Sequence, residues 1–310
     1  MKERRAQAIG YALLAAVFYS LNTPASKLLL RQIEPTVLAG LLYLGAGIGI
    51  GVLSLFRKGD QRRGERLSGK DLPFVIGMVV LDIAAPVFLM FGISRGSAAN
   101  ASLLGNFEIA ATSVIALAVF HEAVSRRLWA AIGLITLSSA LLSLEGADSF
   151  RFSCGSLFVL LATVCWGFEN NCTRKISSKS TYEIVVLKGV FSGLGSLAIA
   201  AARGEHAPEI RYAALAMLLG FVAYGLSIFL YVRAQSTLGA AKTSAYYAVA
   251  PFAGALLSVV LLREQLSGMY PAAFAVMAAG TALAAADTLG DAHSRGRSRG
   301  RRTKAKQGKR

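Results

Sequence analysis

Charge is scarce in this chain. Asp, Glu, Lys and Arg make up 16% of its 310 residues, where soluble domains carry about 25%. Residues that do chemistry are scarcer still. The three His (His121, His206 and His293) stand far apart, outside the apolar runs and without ligand spacing, so no metal is expected. The three Cys (Cys154, Cys165 and Cys172) form no CxxC pair and read as packing residues. There is no P-loop, no GxSxG and no GxGxxG in a strand context, which disfavours ATP-driven transport within this chain and hydrolase activity alike. No cofactor is implied, and an enzyme is not expected.

What is abundant is apolar surface. The hydrophobic set reaches 55%, and 31 Gly add to it. That excludes an ordinary soluble enzyme, a disordered chain and a disulfide scaffold. Uncharged runs occupy residues 6–26, 35–56, 128–144, 152–168, 212–232, 243–262 and 265–286. Three further apolar segments carry one internal charge each: 72–94 (Asp82), 98–120 (Glu108) and 183–202 (Lys188). A spanning helix needs about 20 residues, so the pattern predicts an all-α membrane protein with ten transmembrane helices. Pro35, Pro73 and Pro271 fall near span starts, where a first-turn Pro costs little. Lys2, Arg4 and Arg5 ahead of an apolar run imitate a signal peptide, but run 6–26 is too long for one and ends without a clean cleavage site.

The net charge of +16 is misleading. Residues 295–310 hold nine Lys/Arg and no acid, and their Arg/Gly/Ser alternation cannot bury a core. Residues 288–310 are expected to form a basic disordered tail facing lipid headgroups, not nucleic acid. With the N-terminus inside, the cytoplasmic segments collect 25 Lys/Arg against 7 outside. The expectation is a cell (inner or plasma) membrane protein with both termini cytoplasmic.

The chain also repeats. Residues 97–125 align with 239–267 at an offset of 142, with Ala98/Ala240, Ala99/Ala241, Ser102/Ser244, Glu122/Glu264 and Ser125/Ser267 identical. At an offset of 144, Gly45, Gly49 and Gly51 meet Gly189, Gly193 and Gly195. Two five-helix halves, 1–145 and 152–287, are therefore expected. Five is odd, so the second half enters the membrane inverted, and inverted repeats place a substrate site near the midplane. The recurring Gly-x-x-x-Gly pairs favour tight packing between the repeats over dimerisation, though a homodimer stays open.

Phe120-His121-Glu122, its echo Leu262-Arg263-Glu264, Trp166-Gly167 and the 5+5 layout resemble the drug/metabolite transporter superfamily, and within it the EamA-type members. The resemblance covers residues 6–287. It implies a ten-helix carrier with a cavity between its halves, a small-molecule substrate, and export of amino acids or related compounds. Proton coupling is left open. A facilitative uptake carrier and an integral membrane enzyme are the alternatives. Four-helix relatives in that superfamily rely on an acid in the first span; this chain has Asn22 there, so their cation-exchange mechanism does not carry over.

An ionisable group inside a span costs about 2.5–3.5 kcal/mol on insertion scales and should face the protein interior or a wet cavity. Asp82, Glu108, Glu169 and Lys188 meet that description, and Lys188 should pair with Glu108, Glu169 or Asp82. Asn106 and Asn170 supply amides beside Glu108 and Glu169. Tyr19 and Trp166 lead the aromatic candidates, with Phe107, Tyr224, Tyr246 and Tyr247 behind them. Pro86 and Pro251, mid-span, and Pro24, near the end of span one, should free backbone carbonyls to line a cavity. Glu122 and Glu264 are read as structural, bonding loop amides or helix N-termini.

Overall fold

A computed structural model describes residues 2–56, 66–121, 125–144, 153–176, 179–238, 243 and 246–286. Among them there is no strand, and helix occurs in each of the ten apolar stretches. In chain order the helices are α1 (Lys2–Ser20), α2 (Asn22–Leu29), α3 (Pro35–Leu55), α4 (Leu72–Arg95), α5 (Ala98–Leu104), α6 (Phe107–Phe120), α7 (Arg126–Ser143), α8 (Cys154–Ile176), α9 (Thr181–Ala202), α10 (Ile210–Gly220), α11 (Ser227–Leu238), α12 (Ala250–Leu262) and α13 (Tyr270–Ala286). Six helical stretches are long and apolar enough to cross a membrane: Ala6–Leu29, Pro35–Leu55, Gly69–Arg95, Ala98–Val119, Thr181–Ala202 and Ile210–Ala234. Helices α12 and α13 are apolar but shorter. Helices α7 and α8 are more polar, because α7 opens on Arg126-Arg127 and α8 contains Glu169-Asn170-Asn171 and ends in Arg174-Lys175.

Several expected spans are broken. Leu21 separates α1 from α2, and Gly105-Asn106 separates α5 from α6. A π-helical turn, Phe221–Leu226, joins α10 to α11. The breaks revise the roles of two prolines. Pro251 lies in the first turn of α12, and Pro24 in the first turn of α2, where a missing N–H costs nothing. Pro86 alone of the three sits inside a continuing helix, α4.

The helices pair closely because small residues let their backbones meet. Helix α3 packs on α9 and α10, α4 on α8, α1 on α11, and α5 on α12. A methyl group built on Gly189 would lie 2.4 Å from Gly47 Cα, and one on Gly45 would lie 2.0 Å from the Met217 carbonyl oxygen. Gly193 faces Leu44, and Gly155 of α8 faces Gly92 and Gly96. The glycine pairs thus serve packing within the chain, as their recurrence suggested. Leu38, Leu42, Ile50, Met90 and Ile135 fill the centre, while Val17, Ile48, Val80, Leu157, Leu256 and Val260 turn outward. Outward apolar side chains on such helices suit contact with lipid.

Candidate functional site

The charges stranded inside apolar helices converge. Lys188 Nζ of α9 lies 3.0 Å from Asp82 Oδ2 of α4 and 2.9 Å from Glu169 Oε1 of α8. Asp82 is 0% exposed and Glu169 is 2% exposed. At that depth a lone carboxylate would be costly, so each is matched on a second side. The Tyr43 hydroxyl donates to Asp82 Oδ1 at 3.0 Å, and the Thr173 hydroxyl, one turn along α8, donates to Glu169 Oε1. Of the three partners open to Lys188, it takes Asp82 and Glu169.

Glu108 is held differently. The turn at Gly105-Asn106 puts it in the first turn of α6, near the middle of the helical stretch Ala98–Val119. The backbone stays bonded through the turn, with Glu108 N–H donating to the Gly105 carbonyl at 3.1 Å and Ile109 N–H to that of Asn106 at 3.0 Å. Asn170 Nδ2 donates to Glu108 Oε1 at 2.6 Å and lies 3.4 Å from Thr112 Oγ1. Asn171 Nδ2 donates to the backbone oxygens of Gly167 and Thr112. Consecutive helical side chains point about 100° apart, so Glu169, Asn170 and Asn171 serve three different partners. Asn106, 2% exposed, has neither amide atom hydrogen-bonded to protein.

Tyrosines surround these groups. Tyr19 meets Tyr224 edge-on with ring centroids 5.8 Å apart, and Tyr247 at 5.9 Å. Tyr43 lies 5.2 Å from Tyr224, and Tyr231 lies 5.1 Å from Tyr247. Tyr224, carried by the π-helical turn, accepts from Asn22 Nδ2 at 3.0 Å. Trp166 packs beside Tyr43 in the buried core. Tyr19, Glu108, Lys188 and Tyr247 lie deep within the protein yet keep accessible surface.

The eight leading candidates are therefore placed: Asp82, Glu169 and Lys188 in one ion-paired cluster, Glu108 with Asn170 beside it, Asn106 buried near the helix break, Tyr19 in the tyrosine group and Trp166 in the core. Tyr43, Thr112 and Thr173 were not singled out. Thr173 had a signal, being four residues from Glu169 on a helix. Tyr43 and Thr112 had none.

Away from this cluster, carboxylates tie helix starts. Glu264 accepts from the Ser97 hydroxyl at 2.7 Å and from the backbone N–H of Ala98 and Ala99 at 2.8 and 2.9 Å. This is the structural role read for it. Glu122, its counterpart, lies outside the described residues. Glu205 treats α3 in the same way, accepting from Thr36 N, Val37 N and the Thr36 hydroxyl. Lys27 Nζ donates to the carbonyl oxygens of Ile93 and Gly96 at 2.6 Å, closing the C-terminal end of α4.

Comparison with known proteins bears on this arrangement. The model of the EamA-like transporter family matches residues 6–144 and again 153–286. An uncharacterized transporter of Methanothermobacter thermautotrophicus is 24% identical over 287 residues, covering 86% of this chain and 82% of that protein. A protein crystal structure is similar with a TM-score of 0.64 at 17% identity, covering 90% of this chain and 96% of that one. Likeness at that identity speaks for the fold alone. With the family model matched along almost all its length, the chain belongs to the EamA-like transporter family and is a multi-pass membrane transporter.

Proposed function

We propose that this protein is a secondary carrier that moves small metabolites by alternating access and exports amino acids or related compounds. One observation carries the reading: Lys188, in the second half, is ion-paired at 3.0 Å with the buried Asp82, in the first. A carrier needs a polar site where its halves meet. The residues of this site come from α4 and α6 of the first half and α8 and α9 of the second.

The same reading includes ten spans in two inverted repeats, with both termini cytoplasmic. Two lines support the duplication. The family model matches twice. The helix pairing is also self-consistent: shifting each span by five exchanges the α4–α8 pair with the α1–α11 pair and maps α3–α9 and α5–α12 onto themselves.

The test is purified protein in sealed vesicles, screened against labelled amino acids, nucleosides and amines, with and without a pH gradient. Flux of one class above empty vesicles, abolished by Glu108→Gln or Asp82→Asn in folded protein, supports the proposal. Absence of flux for every class, in either direction, defeats it.

A further inference from the structure

Two features of the site bear on which ligand it accepts. The first is its charge balance. Asp82, Glu169 and Glu108 supply three carboxylates, and Lys188 is the one cation among the described side chains of the cluster. Lys188 is already engaged on two sides, by Asp82 at 3.0 Å and Glu169 at 2.9 Å. A ligand carboxylate would find no unengaged cation there and would meet three like charges. A ligand cation would find the surplus negative charge, with Glu108 held by a neutral amide only, Asn170.

The second feature is aromatic and independent of the acids. Tyr19, Tyr43, Tyr224 and Tyr247 come from four separate segments of chain, yet form one connected group of rings with centroids 5.2–5.9 Å apart. Tyr43 joins the rings to the acids: its hydroxyl donates to Asp82 at 3.0 Å while its ring lies 5.2 Å from Tyr224. Tyr19 and Tyr247 keep accessible surface despite their depth. Ring faces attract cations, most strongly where water is excluded, and cages of aromatic rings are a recurrent way to hold ammonium groups. Carboxylates and rings brought together in this way suit a positively charged nitrogen on an apolar or extended body.

We infer that the transported ligand is an organic amine whose ammonium group sits between the Glu108 carboxylate and the Tyr19–Tyr224–Tyr247 rings, and that the site rejects the matching amino acid. This rests on the carrier reading above and, within its range of amino acids and related compounds, assigns the amines and excludes the amino acids. Removing the carboxylate from an amino acid raises the ligand's net charge by one without changing its side chain. The discrimination thus comes from one functional group.

Matched probes test it: phenethylamine, phenylalanine and 2-phenylethanol as one set, and putrescine, ornithine and 1,4-butanediol as the other. Binding to the purified full chain in detergent is measured by calorimetry or equilibrium dialysis, alongside flux into vesicles. The expected result is that at least one amine binds at least about tenfold more tightly than its amino acid and its alcohol, a ratio of the size of one charged hydrogen bond. Glu108→Gln, which keeps an acceptor for Asn170, removes that preference. Tyr19→Phe keeps affinity within about threefold and Tyr19→Leu loses it, because the ring face and not the hydroxyl makes the contact. An amino acid or alcohol that binds as well as its amine overturns the inference. So does failure of both amines to bind, or an unchanged preference in Glu108→Gln. The two proposals fail separately. Flux of a neutral or acidic metabolite without amine binding sinks the amine inference and leaves the carrier standing, and amine binding without any flux does the reverse.

Discussion

His121 and Arg263, 142 positions apart, both adopt left-handed backbone, with φ of 54° and 51°, and they are the non-glycine residues that do so among the described positions. Each ends a helix, α6 and α12, and each precedes a Glu. Left-handed geometry is costly for residues with a Cβ, so its recurrence at equivalent positions points to a common local task. For Arg263 the task is visible: the turn delivers Glu264 to the N-terminus of α5. The helix breaks recur too, at Gly105-Asn106 and at residues 248–249, close to the same offset.

Glu264 is therefore expected to behave as a cap supplied from a distance. Glu264→Ala should lower stability by about 0.5–2 kcal/mol, the range for loss of an N-cap. Glu264→Gln, which keeps an acceptor but not the charge, should cost less. Thermal unfolding in detergent reads both. A melting temperature unchanged in Glu264→Ala would mean that water replaces the carboxylate at the start of α5 without loss.

Two glycines should respond in opposite ways to the same mutation. Gly189→Ala places a methyl 2.4 Å from Gly47 Cα, against backbone that cannot yield without parting α3 from α9. Overpacking of this kind costs about 1–3 kcal/mol. Gly133, in α7, has nothing within 4 Å of the new methyl. There Ala should be neutral or stabilising by up to about 1 kcal/mol, through helix propensity. Melting temperatures of the two variants, measured side by side, check the sign of each.

The charged members of the site were legible because charge is rare here. Asp82, Glu108 and Lys188 interrupt apolar runs, and an interruption of that kind demands an explanation. Their partners were less legible. Tyr43 stands in a glycine-rich apolar helix like any packing aromatic, and only the register of α3 against α4 brings its hydroxyl to Asp82. The choice of Asp82 and Glu169 over Glu108 as partners of Lys188 also depends on helix rotation, which spacing along one helix does not determine. The helices themselves could be read from run length, but their breaks could not. Gly105-Asn106 lies inside an apolar stretch whose length alone reads as one continuous span. Glu264 could be read as a cap, whereas the helix it caps could not.

Topology gives a test independent of any substrate. Reporter fusions at Gly64 and at the C-terminus should both report the cytoplasm, and a fusion at Ala207 the outside, because basic residues concentrate in the segments assigned inside. Opposite sides for Gly64 and the C-terminus would make the number of spans between them odd and break the inverted duplication. Deleting residues 295–310 in the same series should leave transport intact, since a polybasic segment of that composition contributes surface attraction only.

The ion-paired centre sets the sharpest expectation. Lys188 bridges two buried carboxylates that belong to different helices, α4 and α8. Lys188→Met removes the charge that compensates them among the described residues, and breaking a buried pair from one side costs about 3–5 kcal/mol. Lys188→Met should therefore reduce the yield of folded, membrane-inserted protein severely. Asp82→Asn alone leaves Lys188 its second partner, Glu169, and should be milder. The triple change Lys188→Met, Asp82→Asn, Glu169→Gln removes the charges together and should recover folded protein, since neutral replacement of a buried ionic group is often tolerated. Transport then separates scaffold from site. A folded triple variant that moves substrate at the original rate assigns the cluster to architecture and leaves Glu108 with the function. A folded triple variant that moves nothing assigns the cluster to the transport cycle. Size-exclusion profiles and vesicle flux on the same preparations read the two outcomes apart.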